Sequence, residues 1–304
     1  MKICVTGGAG YLGTALVQQL SLRPDVEEIV VYDNLSHGRR GFFLGAQYGN
    51  VRIRFVRGDI LDSRLLQSVF SDVDVVFHLA AKVSTPYAVG DPHSFEQSNH
   101  WGCAELSYAI EESNVQHVVY MSSAAVYGFS DEEVDVDSPA RPQTWYGTSK
   151  WRGEKMFLRL SKSRTVHVLR CANVYGYAPS MRFDAVINRF AWQAHFEGRL
   201  SIEGDGSQMR SFIHIDSASE RSSALIGSNV QSGVYNLIGF NMPIIGVAEA
   251  LQNIYPALER IFVELDMPRA GISVKGSEAL GVKKHDLQSD LQAFIERFAF
   301  SRSK

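Results

Sequence analysis

The sequence predicts an α/β fold: a Rossmann-type doubly wound parallel sheet with a smaller C-terminal substrate-binding lobe. Three observations predict it. Short β-branched runs alternate with helix-like segments through the first half, a glycine-rich turn follows the first run at once, and the rhythm breaks after Asn173. Strands separated by helices need crossover connections, which are right-handed and build a parallel sheet.

In order, the strand-like runs are KICVT at 2–6, EEIVVYD at 27–33, RIRFVRGD at 52–59, VDVVFHLAA at 73–81, QHVVYMSS at 116–123 and VHVLRC at 166–171. Between them, 11–20, 62–70 and 94–113 place apolar residues three and four apart, the period of an amphipathic helix. A further helix is expected to begin near Tyr146. After Asn173 come a loop (GYAPSM, 176–181), a helix-like stretch near 184–196, a hairpin-like LSIEGDG…RSFIHI and a final amphipathic helix. The chain is expected to divide into a sheet domain, 1–172 plus about 214–240, which would carry the glycine turn and its ligand, and a substrate-binding lobe, 173–213 plus 241–304. The acidic stretch 131–137 reads as a solvated loop.

Composition narrows the function. Apolar residues at 45% and charged ones at 21% are a globular mixture. A formal charge of −3 offers no basic surface to nucleic acid, so an anionic ligand has to be caught by local groups. No apolar stretch reaches the roughly 20 residues of a membrane span. Cys4, Cys103 and Cys171 are odd in number and far apart, which fits buried thiols better than disulfides or a zinc site. The first apolar run ends at Thr6 and glycines follow, unlike a signal peptide. A cytoplasmic location is the expectation. The nine histidines form no HExxH or His/carboxylate cluster, so no metal is expected, and His78 and His214 read as satisfied core or loop residues.

TGGAGYLG at 6–13 joins the first strand to the first helix, with Gly7, Gly10 and Gly13 three apart. Glycine allows the tight turn, the close approach of backbone to a pyrophosphate and the packing of helix on strand. The helix start, with Tyr11 and Leu12, then offers N–H groups and a positive dipole end. Asp33 closes the second strand twenty residues beyond Gly13, where a carboxylate accepts from a ribose diol and repels a 2′-phosphate. NAD is favoured over NADP, although Asn34 and the basic SHGRR segment leave NADP open.

MSSAAVYG at 121–128 leaves the fifth strand where such a sheet binds its ligand, and it carries Ser122 and Ser123. Tyr146 and Lys150 fall on one helix face at i, i+4. An ammonium near a phenol lowers its pKa, and a phenol so tuned can take a proton from a hydroxyl while hydride leaves the attached carbon. Ser123 can orient that hydroxyl.

Together these segments, with HLAA at 78–81, LRCANVYG and GDGSQMRSFIHID, resemble an extended short-chain dehydrogenase/reductase of the NAD-dependent epimerase/dehydratase family. The resemblance implies NAD as cofactor and a nucleotide-sugar substrate. It implies that Asp59 and Ile60 flank the adenine and that Leu79, Ala80 and Ala81 line the dinucleotide. Asn99 would support the helix near its centre and count among the cofactor-binding residues, Lys150 would bond the nicotinamide ribose, and Ser123 and Tyr146 would be the catalytic pair. Asn173 and Arg210 match positions that contact the substrate's diphosphate, a role the planar fork of Arg210 suits. Ser84 and Arg269 are further substrate-side positions. Helices near 94–113 and 145–162 imply a homodimer seam.

Sugar-nucleotide 4,6-dehydratases of this kind carry an Asp-Glu pair where this chain has Ala124 and Ala125. Alanines leave elimination without its acid and base. The motif therefore resembles 4-epimerases, which pass through a transient 4-keto sugar, and some 4-ketosugar reductases. A non-catalytic NAD-binding protein is the alternative from another class. Ser211 replaces a frequent aspartate, Cys103 a frequent threonine, GYAP a Gly-Pro turn and Asn188 a frequent proline.

Overall fold

The computed structural model describes residues 1–38, 41–44, 48–83, 91–264 and 271–298. The first six predicted strands appear as β1 (Lys2–Thr6), β2 (Glu28–Asp33), β3 (Arg52–Arg57), β4 (Val75–His78), β5 (His117–Ser123) and β6 (Thr165–Cys171). With β10 (Gly233–Leu237) they form one seven-stranded sheet in the order β10-β6-β5-β4-β1-β2-β3, paired in parallel throughout.

Alternation along the strands decides which core each side chain enters. Ile3 and Val5 join a cluster with Leu16 and Leu20 of α1 (Tyr11–Ser21) and Ala218 of α7 (Ile215–Ala224). Cys4 points the other way, into a cluster with Leu66 and Phe70 of α2 (Ser63–Phe70), Leu106 of α4 (Gly102–Glu111) and Phe157 of α5 (Trp145–Leu158). Helices thus cover both faces, which is why β1 and β2 are buried along almost their whole length. The long predicted helix at 94–113 is segmented into α3 (Pro92–Phe95), a π-helical stretch at Glu96–Trp101 and α4.

Strand order reverses between β1 and β4, whose last residues, Thr6 and His78, lie side by side. Ligands of such sheets bind in the crevice beyond that reversal.

The remaining elements are β7 (Asn173–Tyr175), α6 (Val186–Trp192), β8 (Arg199–Glu203), β9 (Met209–His214), β11 (Phe240–Pro243), α8 (Ile244–Ile254), β12 (Glu259–Val263) and α9 (Leu287–Ile295). Most share a third core around Phe190, Ile202, Phe212, Val247, Leu251 and Phe294. The expected hairpin of residues 200–215 does not form. β8 pairs in parallel with β12, whereas β9 pairs with β7 and β11. Gly204 and Gly206, with φ of +66° and +77°, turn the chain away, and the start of α8 takes the carbonyls of Gly206 (2.8 Å) and Gln208 (3.2 Å) that a hairpin would have used.

Candidate active site

At the end of β1 the chain turns through Gly7, whose φ is +72° and where a Cβ would lie 2.6 Å from the Ala80 nitrogen. A Cβ on Gly13 would lie 2.1 Å from the Gly7 carbonyl oxygen, so both glycines are demanded by packing. Gly10 lines the cleft, has no capping side chain and precedes a first helical turn free of acidic residues. No acidic side chain of α1 itself therefore neutralises the positive helix end that meets the cleft. Asp33 accepts from the N–H groups of Ala9 (3.1 Å) and Leu35 (2.8 Å), which fixes its carboxylate beside the glycine turn. Asn34 donates to Asp59 (2.9 Å), tying the ends of β2 and β3 together. A pyrophosphate and an adenosine ribose fit this donor and acceptor set.

One cleft of about 1050 Å³ runs from this turn to the lobe. It is lined by Gly7, Gly10, Tyr11, Leu12, Gly13, Asp33, Asn34, Asp59, Ile60, Leu79, Ala80 and Ala81 at one end, by Ser123, Tyr146 and Lys150 at the middle, and by Asn173 and Arg210 at the other. Asn99 stands behind the wall: its amide bonds the backbone N–H and C=O of Lys82 (both 2.8 Å) and Ser149 Oγ (3.1 Å), clamping the β4 exit to α5. Ser84 and Arg269 lie outside the described residues.

α5 begins where Thr144 Oγ1 accepts from Gly147 N–H at 3.0 Å. A Cβ on Gly147 would lie 2.5 Å from the Ala125 oxygen, so the helix start is pressed against the turn after β5. That brings Tyr146 beside Ser123, and both line the cleft. Burial pushes the phenol up from its ordinary pKa, while the Ser123 contact and the Arg182 charge pull it down.

The expected action of Lys150 on that phenol needs correction. Its ammonium donates to the Met121 carbonyl at 2.6 Å and lies 4.9 Å from the Tyr120 ring centre. Burial lowers its own pKa to about 8. Spacing on the helix put the two side chains on one face, but the end of β5 supplied a nearer acceptor.

Beneath Ser122 and Lys150 lies a charge pair that the sequence reading missed. Arg170 donates to both oxygens of Glu154 (3.0 and 2.9 Å), and Ser122 Oγ donates to the same carboxylate at 2.6 Å. Its signal was present, since Glu154 follows Lys150 by four residues. Also missed were Arg182, Arg189, Glu203 and Gln208 at the lobe end of the cleft. Two arginines seven apart around an apolar-period helix could have flagged them. Arg210 itself is largely buried, which lowers its pKa, with Glu203 opposing that effect.

His78 is fully buried against Thr6 Oγ1 (2.7 Å) and Cys103 Sγ (3.4 Å). His214 caps α7 by accepting from Asp216 N–H. His214, His285 and Asp290 bring ligand-type atoms within 4.8 Å of one another. The two imidazoles stack at 20°, however, so their in-plane lone pairs run side by side rather than converging on one ion.

The model of the NAD dependent epimerase/dehydratase family matches residues 3–237. The chain belongs to that family. Among curated relatives, a UDP-glucose 4-epimerase of Mycolicibacterium smegmatis is 33% identical over 71% of this chain and 70% of that protein. A dTDP-glucose 4,6-dehydratase of Streptomyces niveus is 29% identical over 71% of this chain and 66% of that one. Among solved structures, the UDP-glucuronic acid 4-epimerase of Bacillus cereus, in complex with UDP-glucuronic acid and NAD, superposes with a TM-score of 0.85 at 26% identity, covering 97% and 98% of the two chains. The NAD-bound dTDP-glucose 4,6-dehydratase of Streptomyces venezuelae also gives 0.85, at 25% identity and 98% coverage of each. NAD is the cofactor of this epimerase/dehydratase family member, and the uncapped α1 start with Asp33 beside it is the cradle that fits it. No helix among the described residues is long and apolar enough to cross a membrane.

Proposed function

We propose that the protein epimerises a nucleotide-activated sugar at C4 through a transient 4-keto intermediate. The observation that carries this reading is the pair Ala124 and Ala125, which line the cleft directly after Ser123 and present no ionisable group there. Water loss from the sugar needs an acid and a base at that point; exchange of a C4 hydrogen between faces needs neither.

Bound NAD supplies the hydride acceptor and donor. Tyr146 Oη takes the proton of the C4 hydroxyl and later returns it, and Ser123 Oγ holds that hydroxyl in line. Lys150, fixed on the Met121 carbonyl, holds the coenzyme ribose beside the phenol. Gly7, Gly10, Tyr11, Leu12 and Gly13 hold the pyrophosphate, Asp33 and Asn34 the adenosine ribose, Asp59 and Ile60 the adenine, and Leu79 to Ala81 the dinucleotide's inner side. Asn173 and Arg210 grip the substrate diphosphate. In this reading 1–172 with about 214–240 carries the coenzyme and the rest carries the sugar nucleotide. The helical segments near 94–113 and 145–162, with Trp101 and Tyr108 exposed, form a homodimer seam. Three buried, unpaired thiols suit the reducing cytoplasm.

The test incubates purified protein with UDP-, dTDP- and GDP-sugars and follows products by NMR. A C4 epimer without net reduced coenzyme is the expected result, lost in Tyr146→Phe. A 4-keto-6-deoxy product, turnover that consumes added NADH or NADPH, or full activity in Tyr146→Phe would each overturn the reading.

A further inference from the structure

We infer that Asn188 is a positioning residue that ties the substrate-side loop to the coenzyme turn, so that nucleotide-sugar affinity depends on a side chain that does not itself line the cleft. The inference rests on the reading of the cleft's lobe end as a nucleotide-sugar site.

Asn188 is fully buried, three residues into the α6 entry. Its Oδ1 accepts from the Gly176 N–H at 3.0 Å, and its Nδ2 donates to the Arg182 carbonyl and the Tyr11 hydroxyl, each at 3.0 Å. The Tyr11 hydroxyl in turn donates to the Gly176 carbonyl at 2.6 Å. The ring of bonds closes: Asn188 and Tyr11 hold the donor and the acceptor of one glycine between them. Only one amide orientation satisfies it, because an N–H faces the oxygen and two acceptors face the nitrogen.

The ring joins the two halves of the site. Tyr11 opens the helix at the glycine turn and lines the cleft. Arg182 also lines it, and its charge acts on Tyr146. Between Gly176 and Arg182 the chain has no regular secondary structure, so its height over the coenzyme turn is set by such ties. An amide provides one acceptor and two donors at this point; a proline provides none and a leucine none. Aspartate keeps the acceptor but turns an anion toward two oxygens.

The test uses NAD-loaded protein with UDP and dTDP as calorimetric probes. Asn188→Leu should keep its NAD, and with NAD saturating, Asn188→Leu and Tyr11→Phe should each bind the probe about tenfold more weakly or worse, with the double variant no weaker than the worse single one, because the two changes break one shared ring. Leu251→Ala, in the lobe core away from the cleft, should lower Tm with affinity intact, which separates positioning from plain stability. Wild-type affinity in a folded Asn188→Leu overturns the inference, as do additive losses. If Asn188→Leu does not fold, wild-type affinity in Tyr11→Phe does the same. Amide exchange needs no substrate: Gly176 N–H should lose at least tenfold of its protection in Asn188→Leu, and retained protection overturns the tie. A wild-type protein that binds neither probe sinks the functional reading instead, and exchange alone then decides the tie.

Discussion

Lys150 should make the protein's stability depend on pH in a window where lysines are ordinarily silent. Its side chain is 3% exposed and its pKa falls from 10.5 to about 8, with burial as the first cause. Below pH 8 the folded protein must keep an ammonium away from water and bears the full cost. Between pH 8 and 10.5 the unfolded chain still holds the proton that the folded one has released, so stability contributed by this group rises with pH. Above 10.5 the difference is gone. At about 1.4 kcal/mol per pH unit the whole effect is about 3 kcal/mol, of which about 2 kcal/mol falls between pH 7 and pH 10. Other groups titrate there too, so the measurement is a difference. Urea unfolding of wild type and Lys150→Met, at pH 7 and pH 10, should show wild type gaining about 2 kcal/mol on the variant at the higher pH. Cys103 and Cys171, each pushed up to about 12 by burial, stay protonated in the folded protein through this range and largely cancel. Parallel pH dependences would mean that Lys150 titrates as a solvated lysine, and the account of its burial would be wrong.

Arg170→Met leaves the Glu154 carboxylate, 2% exposed, without its bidentate partner and should cost about 3–5 kcal/mol, while Glu154→Leu/Arg170→Met together should come within about 1 kcal/mol of wild type by urea denaturation. Ser123→Ala removes the hydroxyl that pulls the Tyr146 pKa down, so the phenol rises and the acid limb of kcat against pH should move to higher pH. Gly13→Ala sets a Cβ 2.1 Å from the Gly7 oxygen, and the purified protein should lose its NAD, read by release and absorbance, with about 1–3 kcal/mol of stability.

What the chain discloses depends on how local the cause is. The six strands at the N-terminal end were legible because a period of two and glycine punctuation act within a few residues, and so was the turn from β1 into α1. Asp33 was legible because its distance from Gly13 is set by one helix and one strand. The false hairpin came from the same local logic: LSIE and RSFIHI look like partners, but the first pairs with β12 and the second with β7 and β11. Lys150 shows the limit at the site itself. An i, i+4 spacing fixes the face of α5, while the direction of the ammonium is chosen by the Met121 carbonyl on another element. Arg182, on the loop before α6, and Arg189, within it, escaped notice because a spacing of seven is the one local signal they share, and spacing does not tell a cleft-facing arginine from a solvated one.

The raised phenol bears on which reaction the cleft suits. A net oxidation has to deliver the substrate's proton to water, so a base there gains from a low pKa and an open path. In the proposed epimerisation the proton that leaves the sugar hydroxyl goes back to the same oxygen in the second half of the cycle. Tyr146 then needs only to hold it for the lifetime of the 4-keto sugar, and a side chain whose burial disfavours the free anion is suited to giving it back. Ser123, beside the phenol and adjoining two alanines, offers a short route for that exchange, and neither Ala124 nor Ala125 provides a second acid or base that could divert the keto sugar into losing water.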